Sequence, residues 1–290
     1  MSQVEAIEAQ VGQLTAAIRK LSMIGAAVKI RNDQSVDPRI SDLITSSANS
    51  ILGGDVKTLL DQQAATLITM IQMSFAEAGE LLHNAARPAE WHVDDPMLLQ
   101  AQGQASSRVF HRILALSAAR PLLQKAFQGR FLDVGTGVAG IALEAAKRYP
   151  TLLVDGIDVW EPALKLARRN VEESSYSGRI TITNLDVTGL AEDPVYTLVW
   201  LPTMFMKRTV VETALDRIAA ASQRDAYLVA ARYTVPADPE EAAFVTLRTL
   251  RSGGEPIGQS EMEDMLRVRG FIDIESDVSP TATFTLGRRA

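Results

Sequence analysis

The sequence predicts an α/β protein in which an all-helical N-terminal region precedes a mostly parallel sheet of seven strands. Two observations support this fold class. Before about residue 100 the apolar residues recur only at helical spacing, whereas after it short apolar runs alternate with helix-length periodic segments. We therefore expect two domains, residues 1–99 and residues 100–290.

The first helix is predicted from an apolar seam with alternating steps of three and four residues. Ser2 and Glu5 have the spacing of a capping box at its start. Gly25 weakens the pattern, and because Val28 keeps the spacing, the helix either continues through this glycine or ends at it. The seam consists of Val4, Ile7, Val11, Leu14, Ile18 and Leu21.

A second apolar helix is predicted over residues 56–82, and the stretch ARPAEWHVDDP reads as the connector that follows it. The seam of the first helix must be covered, because a lone helix of that length would leave its apolar stripe in water. The cover is either the second helix or a second copy of the chain across a twofold axis. We expect a homodimer through the N-terminal helices, which would also form a lid over the substrate.

Short apolar runs rich in β-branched and aromatic residues predict the strands of the second domain. The last two runs are close together and predict a hairpin-like pair at the end of the chain. The strands are expected at residues 131–134, 152–157, 179–184, 197–201, 227–233, 271–275 and 281–286.

Composition favours a protein that acts on small molecules. The 290 residues carry a net charge of -6, which argues against a broad phosphate-binding face and therefore against nucleic acid as a partner. There is no cysteine, which excludes disulfides and thiolate metal sites. Because no basic region precedes an apolar run near the N-terminus, we expect a cytoplasmic protein without membrane contact.

The stretch FLDVGTGVAG, residues 131–140, predicts a nucleotide-binding turn after the first strand. Its three glycines alone leave a dinucleotide and S-adenosylmethionine both possible. Asp133 distinguishes them, since its carboxylate would repel a pyrophosphate but would accept a charge-assisted hydrogen bond from the ammonium of S-adenosylmethionine. The residue therefore favours S-adenosylmethionine as the cofactor.

Two further acids end the next two strands. Asp158 is placed to accept hydrogen bonds from both ribose hydroxyls, and Asp186 to reach the adenine amino group. Val159 and Trp160 would then flank the adenine ring. Each acid alone could equally be a helix cap or a loop residue, but three acids at successive strand ends favour a binding site.

The stretches LDVGTGVAG, GIDVWEPALKLARRN, NLDV and LVWLPTMF together resemble the class I S-adenosylmethionine-dependent methyltransferases. The chain also looks like a bacterial subgroup with a helical N-terminal extension, in which a stretch like QAQGQASS precedes the glycine strand. The resemblance implies a Rossmann-like sheet of seven strands with a reversed last strand. It implies cofactor contacts at Gly135, Gly137, Gly140, Asp158 and Asp186, with Gln102 and Ser106 as further candidates, and Thr136, Val187, Leu201 and Pro202 complete the expected cofactor set.

The chain departs from this family at two places. Thr197 stands where the fourth strand often opens with an acid, and SQRDAYLV replaces the glycine pair before the fifth strand. Neither change lies in the cofactor motif.

The acceptor site is expected at the end of the fourth strand. Enzymes that methylate amino groups of bases or glutamine would show Asn/Asp-Pro-Pro-Tyr/Phe there, whereas this chain has Leu-Pro-Thr-Met, which argues against that class. The absence of clustered carboxylates in this stretch predicts that no metal is used. The candidates for substrate binding are Trp91, Thr203, Met204 and Phe205, although a role as ordinary core residues is the favoured explanation of Met204 and Phe205.

A general base is needed only if the acceptor must lose a proton, because the methyl donor is already activated. His92 and His111 are the candidates, each with a surface or capping role as its alternative. We expect a methyltransferase that acts on a small-molecule acceptor, most simply a metabolite or natural product. A nucleotide-dependent oxidoreductase and a non-catalytic methyltransferase-like binding protein are the alternatives.

Overall fold

The computed structural model describes residues 2–290 and divides the chain between Arg87 and Pro88 into two compact units. This boundary lies earlier than the one expected after residue 99. The connector and the helix Pro96–Ser117 belong to the second unit because that helix packs against three helices of the α/β domain. Within residues 2–290, no helix is long and apolar enough to cross a membrane.

The first unit consists of three helices, α1 (Gln3–Ile30), α2 (Pro38–Leu52) and α3 (Asp61–His83). The predicted capping box at Ser2 and Glu5 is confirmed. Helix α1 continues through Gly25, which allows close packing because a Cβ there would lie 3.3 Å from Ile71 Cγ2 of α3.

Two features of this unit differ from the sequence prediction. Helix α2 was not expected; Asp37 caps its start and Gly53, at a φ of 67°, ends it. Helix α3 begins later than residue 56, because Val56–Thr58 form a separate 3₁₀ turn that Asp55 caps.

The core of the first unit covers only the C-terminal part of α1. It contains Ala27 and Val28 of α1 together with Ala48, Val56 and Ala64. In contrast, the predicted seam is exposed. The exposed fraction of the residue ranges from 55% to 63% at Val4, Ile7, Val11, Leu14 and Ile18. Helix α3, which corresponds to the helix predicted over residues 56–82, therefore leaves most of the seam uncovered.

The second unit is a seven-stranded sheet with helices on both faces, and all seven predicted strands are confirmed with shifted ends. The strands are β1 (Arg130–Val134), β2 (Leu153–Asp158), β3 (Ile180–Asn184), β4 (Tyr196–Pro202), β5 (Ser222–Tyr233), β6 (Phe271–Val278) and β7 (Ala282–Arg289). The helices are α4 (Pro96–Ser117), α5 (Pro121–Ala126), α6 (Gly140–Arg148), α7 (Glu161–Glu172), α8 (Arg208–Ala221), α9 (Pro239–Arg251) and α10 (Gln259–Arg267).

The strand order is β3-β2-β1-β4-β5-β7-β6. The first five strands are parallel, and β7 is antiparallel to both β5 and β6, so the reversed last strand is confirmed. The order reverses between β1 and β4, which is where open α/β sheets bind ligands at the carboxyl ends of their strands.

The sheet separates two buried cores. Phe131 and Ala231 belong to one core, and Leu132 and Ala230 belong to the other, because successive side chains of a strand point to opposite faces. Both cores hold the carboxyl edge of the sheet in place.

Candidate functional site

The glycine loop after β1 has the backbone that close approach to a ligand requires. Gly135 and Gly137 have φ angles of 64° and 56°. A Cβ on Gly135 would lie 3.2 Å from Pro202 Cγ, so this glycine packs against the end of β4. A Cβ on Gly137 would meet no atom within 4 Å, so this glycine leaves open space next to the backbone.

Gly140 begins α6 and packs against α4. A Cβ on Gly140 would lie 2.1 Å from the carbonyl oxygen of Gly103, and a Cβ on Gly103 would lie 2.0 Å from Val138 Cγ2. Ser106 donates its hydroxyl to the same Gly103 carbonyl, and Gln102 is exposed on α4. The structure thus gives Gly140 a packing role, and the cofactor contacts of Gln102, Ser106 and Gly140 stay predictions.

Asn170 and Gln100 support the loop and were not expected from the sequence. Asn170 Nδ2 donates to the Val138 carbonyl at 2.9 Å. The two side-chain amides also exchange hydrogen bonds, at 3.0 and 3.2 Å. Because 70 residues separate them, no spacing in the sequence indicates that they meet.

Asp133 is fully buried at the end of β1. Its Oδ2 accepts a hydrogen bond from the Thr136 hydroxyl at 2.8 Å, while its Oδ1 has no hydrogen-bond partner within residues 2–290. Burial raises the pKa of Asp133 to about 7 against the opposing effect of Thr136. A buried carboxylate oxygen without a partner fits the ammonium of S-adenosylmethionine. Thr136 itself points inward, and its contact with the cofactor stays a prediction.

Asp158 joins the end of β2 to the glycine loop. Its Oδ2 accepts the Gly137 amide at 2.9 Å, and its Oδ1 accepts the Trp160 amide at 2.9 Å. Burial raises the pKa of Asp158 above its ordinary value, and these amides oppose the shift. Each ionised oxygen can still accept a further hydrogen bond, so the carboxylate fits the two ribose hydroxyls.

The predicted adenine neighbours are distributed around the same edge. Asp186 is exposed and caps the 3₁₀ turn Val187–Gly189 by accepting hydrogen bonds from Thr188. Val159 is 60% exposed, whereas Val187 is buried. Trp160 donates its indole N–H to the Val93 carbonyl at 2.6 Å and so fixes the connector to this edge.

An aromatic cluster lies beyond the end of β4. The ring centroids of Trp91 and Phe205 are 5.5 Å apart, and those of Phe205 and Tyr233 are 6.3 Å apart. Of the four acceptor candidates, Trp91 and Phe205 therefore come together. Thr203 is buried and donates its hydroxyl to the Ala231 carbonyl, and Met204 is 8% exposed in the core.

Leu201 and Pro202 end β4 next to the glycine loop. Leu201 is fully buried in the core, whereas the Pro202 ring faces Gly135. Pro202 is thus the one of this pair that borders the loop directly, and the cofactor contacts of both stay predictions.

The two histidine candidates lie in different places. His111 Nε2 is 2.7 Å from Glu144 Oε1 and 3.1 Å from Arg148 Nη2, near the end of α6. Because α6 runs back from the glycine loop, its last turn lies away from the carboxyl edge, which favours a structural hydrogen-bonding role for His111. His92 is exposed beside Trp91 on the connector and remains the better candidate for a base.

Comparison with known proteins assigns residues 131–225 to the family described as "Methyltransferase domain". A tRNA1(Val) (adenine(37)-N6)-methyltransferase from Pedobacter heparinus is 34% identical over 68 residues, which are 23% of this chain and 29% of that protein. A ubiquinone/menaquinone biosynthesis C-methyltransferase from Geotalea daltonii is 44% identical over 55 residues, 19% of this chain and 23% of the relative. The chain thus spans about a quarter of the length of these curated relatives.

Solved structures of methyltransferases share the fold over the whole chain. An O-methyltransferase family protein from Burkholderia thailandensis has a TM-score of 0.67 at 13% identity, and it covers 100% of this chain and 99% of the other. Human N-acetylserotonin methyltransferase in complex with S-adenosylmethionine has a TM-score of 0.63 at 13% identity and the same coverage. At this identity the similarity establishes the fold.

Gly137→Val is expected to abolish S-adenosylmethionine binding, because its side chain would fill the open space beside the loop. The matched control is Gly53→Val, which has a φ of 67° and open space at its Cβ but lies in the first unit. Both variants carry the strain of a side chain at positive φ, about 1–3 kcal/mol. Titration calorimetry should show loss of binding only for Gly137→Val, and equal binding by both variants would contradict the placement of the loop.

The buried Asp133 predicts a pH dependence of stability. Its pKa is raised from 3.8 to about 7 on folding, so its contribution is complete below about pH 4 and is lost as the pH rises to 7. Between about pH 5 and 6.5 the wild type should lose about 1.4 kcal/mol of unfolding free energy per pH unit relative to Asp133→Asn. Urea unfolding across this range measures the difference, and parallel pH curves would show that Asp133 does not titrate as described.

Proposed function

Because the chain carries a class I methyltransferase domain, we propose that it is an enzyme that transfers a methyl group from S-adenosylmethionine to a small-molecule acceptor. One observation carries the proposal: the Asp158 carboxylate at the end of β2 accepts the Gly137 amide of the loop that follows β1, and β1 is one of the two strands between which the strand order reverses. This hydrogen bond puts an acceptor for ribose hydroxyls beside a backbone that a ligand can approach.

The residues of the chain position and shield the reactants. S-adenosylmethionine supplies an activated methyl group, so alignment and exclusion of water provide much of the rate. Asp158 would hold the ribose, Asp133 would bind the ammonium, and Gly137 would permit close contact with the backbone. Trp91 and Phe205 form an apolar surface near the end of β4. His92, next to Trp91, is the candidate to accept a proton from an oxygen or nitrogen acceptor.

The acceptor is proposed to be a small molecule for two reasons. Leu201, Pro202, Thr203 and Met204 occupy the place where enzymes acting on base amino groups would have Asn/Asp-Pro-Pro-Tyr/Phe, and the chain carries a net negative charge. The tRNA methyltransferases found by comparison share only about a fifth of this chain, so their substrate does not transfer with the similarity.

Asp158→Ala should weaken S-adenosylmethionine binding by about 1.5–3 kcal/mol, because an ionised acceptor of two hydroxyls is lost. Calorimetry measures the affinity, and thermal unfolding checks that the fold survives the loss of the two amide contacts. Asp37→Ala, which removes a carboxylate that caps a helix of the first unit, is the control and should bind normally. Unchanged affinity in Asp158→Ala would remove this residue from the site.

The same thermal measurement separates the alternatives. S-adenosylmethionine should raise the melting temperature, and NAD should not. A rise with NAD alone would replace the methyltransferase by an oxidoreductase. Binding without release of S-adenosylhomocysteine across a metabolite library would favour a non-catalytic binding protein.

We also propose that the chain is a homodimer joined by its N-terminal helices, which close over the substrate as a lid. The exposed seam of α1 keeps its heptad spacing from Val4 to Ile18, and α3 leaves it uncovered. A helix with this spacing is complementary to a second copy of itself, and a twofold axis closes such a contact.

Leu14→Glu combined with Ile18→Glu should convert the dimer to a monomer without unfolding it, because both side chains are more than half exposed within the chain. The control combines Ala9→Glu with Ala16→Glu, which adds the same charge to the opposite face of α1. Light-scattering chromatography measures the mass. A wild-type monomer at micromolar concentration would rule out the dimer, and a dimer that persists in the Leu14/Ile18 variant would place the interface elsewhere.

A further inference from the structure

Arg232 is a buried cation at the carboxyl end of β5, and its guanidinium makes few hydrogen bonds. The residue is 8% exposed, and its Nε has no hydrogen-bond partner within residues 2–290. Its guanidinium makes a long hydrogen bond, 3.5 Å from Nη2 to Gln259 Oε1. Burial lowers the pKa of Arg232, so the fold carries the cost of desolvating this charge.

Two carboxylates in the surroundings of Arg232, those of Glu263 and Glu255, are bound to other groups. Glu263 favours the charged form of Arg232, but its Oε1 accepts hydrogen bonds from Gln259 and Ser276. Glu255 lines the same cleft as Arg232, and its Oε2 accepts the backbone amide of Arg208. Neither carboxylate makes a hydrogen bond to Arg232.

Arg232 lines a small cleft at the carboxyl edge of the sheet, the edge that also carries the cofactor loop. The cleft has a volume of about 10 Å³, room for roughly one water molecule, so it can admit one end of a ligand and not a whole small molecule. Arg232 lines this cleft together with Thr203 and Tyr233. Its neighbour Ala231 pairs with Pro202, and Pro202 in turn packs against Gly135 of the glycine loop. The cleft is therefore two strands away from that loop, about 10 Å at the usual strand spacing.

We propose that Arg232 binds a carboxylate of the methyl acceptor and so selects acidic small molecules as substrates. A planar guanidinium presents parallel N–H donors that match the two oxygens of a carboxylate. An anion of this kind supplies the missing partner of Nε, and Tyr233 offers an aromatic wall beside it. This inference rests on the proposed methyltransferase function, since it names the substrate of that same site.

The first test asks whether the fold needs the guanidinium. Arg232→Met keeps an unbranched apolar stem and removes the guanidinium with its charge. In the ligand-free protein it should leave the melting temperature unchanged or raise it. Arg224→Met is the matched control, because Arg224 is exposed at the other end of the same strand. A melting temperature that falls in Arg232→Met but not in Arg224→Met would show a structural role and overturn the proposal.

The second test measures anion binding with benzoate, using benzamide as its neutral counterpart, on the full chain saturated with S-adenosylhomocysteine. Benzoate should raise the melting temperature of the wild type and of Arg224→Met, and benzamide should not. In Arg232→Met the affinity for benzoate should fall about ten- to a hundredfold, as expected when hydrogen bonds to a charged group are lost. Arg232→Lys should restore part of it.

The outcomes separate the inference from the proposed function. If S-adenosylhomocysteine binds but benzoate has no effect, or acts equally on Arg232→Met, only the acidic-substrate assignment fails. Stabilisation by inorganic phosphate but not by benzoate would also overturn it, in favour of a phosphorylated ligand. If S-adenosylhomocysteine does not bind even to the wild type, the methyltransferase proposal itself fails.

Discussion

The site depends on one hydrogen bond between the ends of two neighbouring strands, from the Gly137 amide to Asp158 Oδ2. The loop after β1 has positive φ angles that only glycine adopts at low cost, and without a partner its amides would be free to reorient. Asp158 fixes one of these amides and, through Trp160, the start of α7 as well. The same carboxylate thus shapes the loop and offers acceptors to a ligand.

Close helix packing makes this loop possible. Gly103 of α4 and Gly140 of α6 let the backbones of the two helices approach each other. A Cβ on Gly140 would clash with the Gly103 carbonyl, and a Cβ on Gly103 would clash with the Val138 side chain of the loop. Asn170 then binds the carbonyl of Val138 inside the loop. Trp160 extends the arrangement to the connector through Val93. The conformation of the loop at this edge therefore depends on helix packing as much as on the glycine motif.

The strands and the glycine loop could be predicted because their signals are local. Apolar runs mark the strands, and Asp133 and Asp158 lie at the ends of β1 and β2. Helix α2 was missed because SDLITSSANS is rich in residues that also favour turns. Arg232 and Asn170 could not be found, because their roles depend on which strands and helices lie side by side. The resemblance of short stretches of the sequence to a known family identified the cofactor motif, but it gave no information on the cleft that Arg232 lines.

The carboxyl edge of the sheet holds two buried ionisable groups of opposite charge, Asp133 and Arg232, and the fold gives neither of them a full set of hydrogen-bond partners within residues 2–290. Asp133 follows Phe131 toward one core, whereas Arg232 follows Ala230 toward the other, so the carboxylate and the guanidinium lie on different faces of the sheet and cannot pair. Each is buried, and each has an atom without a hydrogen-bond partner in the part of the chain that the structure describes. A core evolved for stability alone would replace such groups by apolar ones. The presence of both groups is explained if an ammonium binds Asp133 and an anion binds Arg232. Binding of the two reactants would then give each buried charge its missing partner.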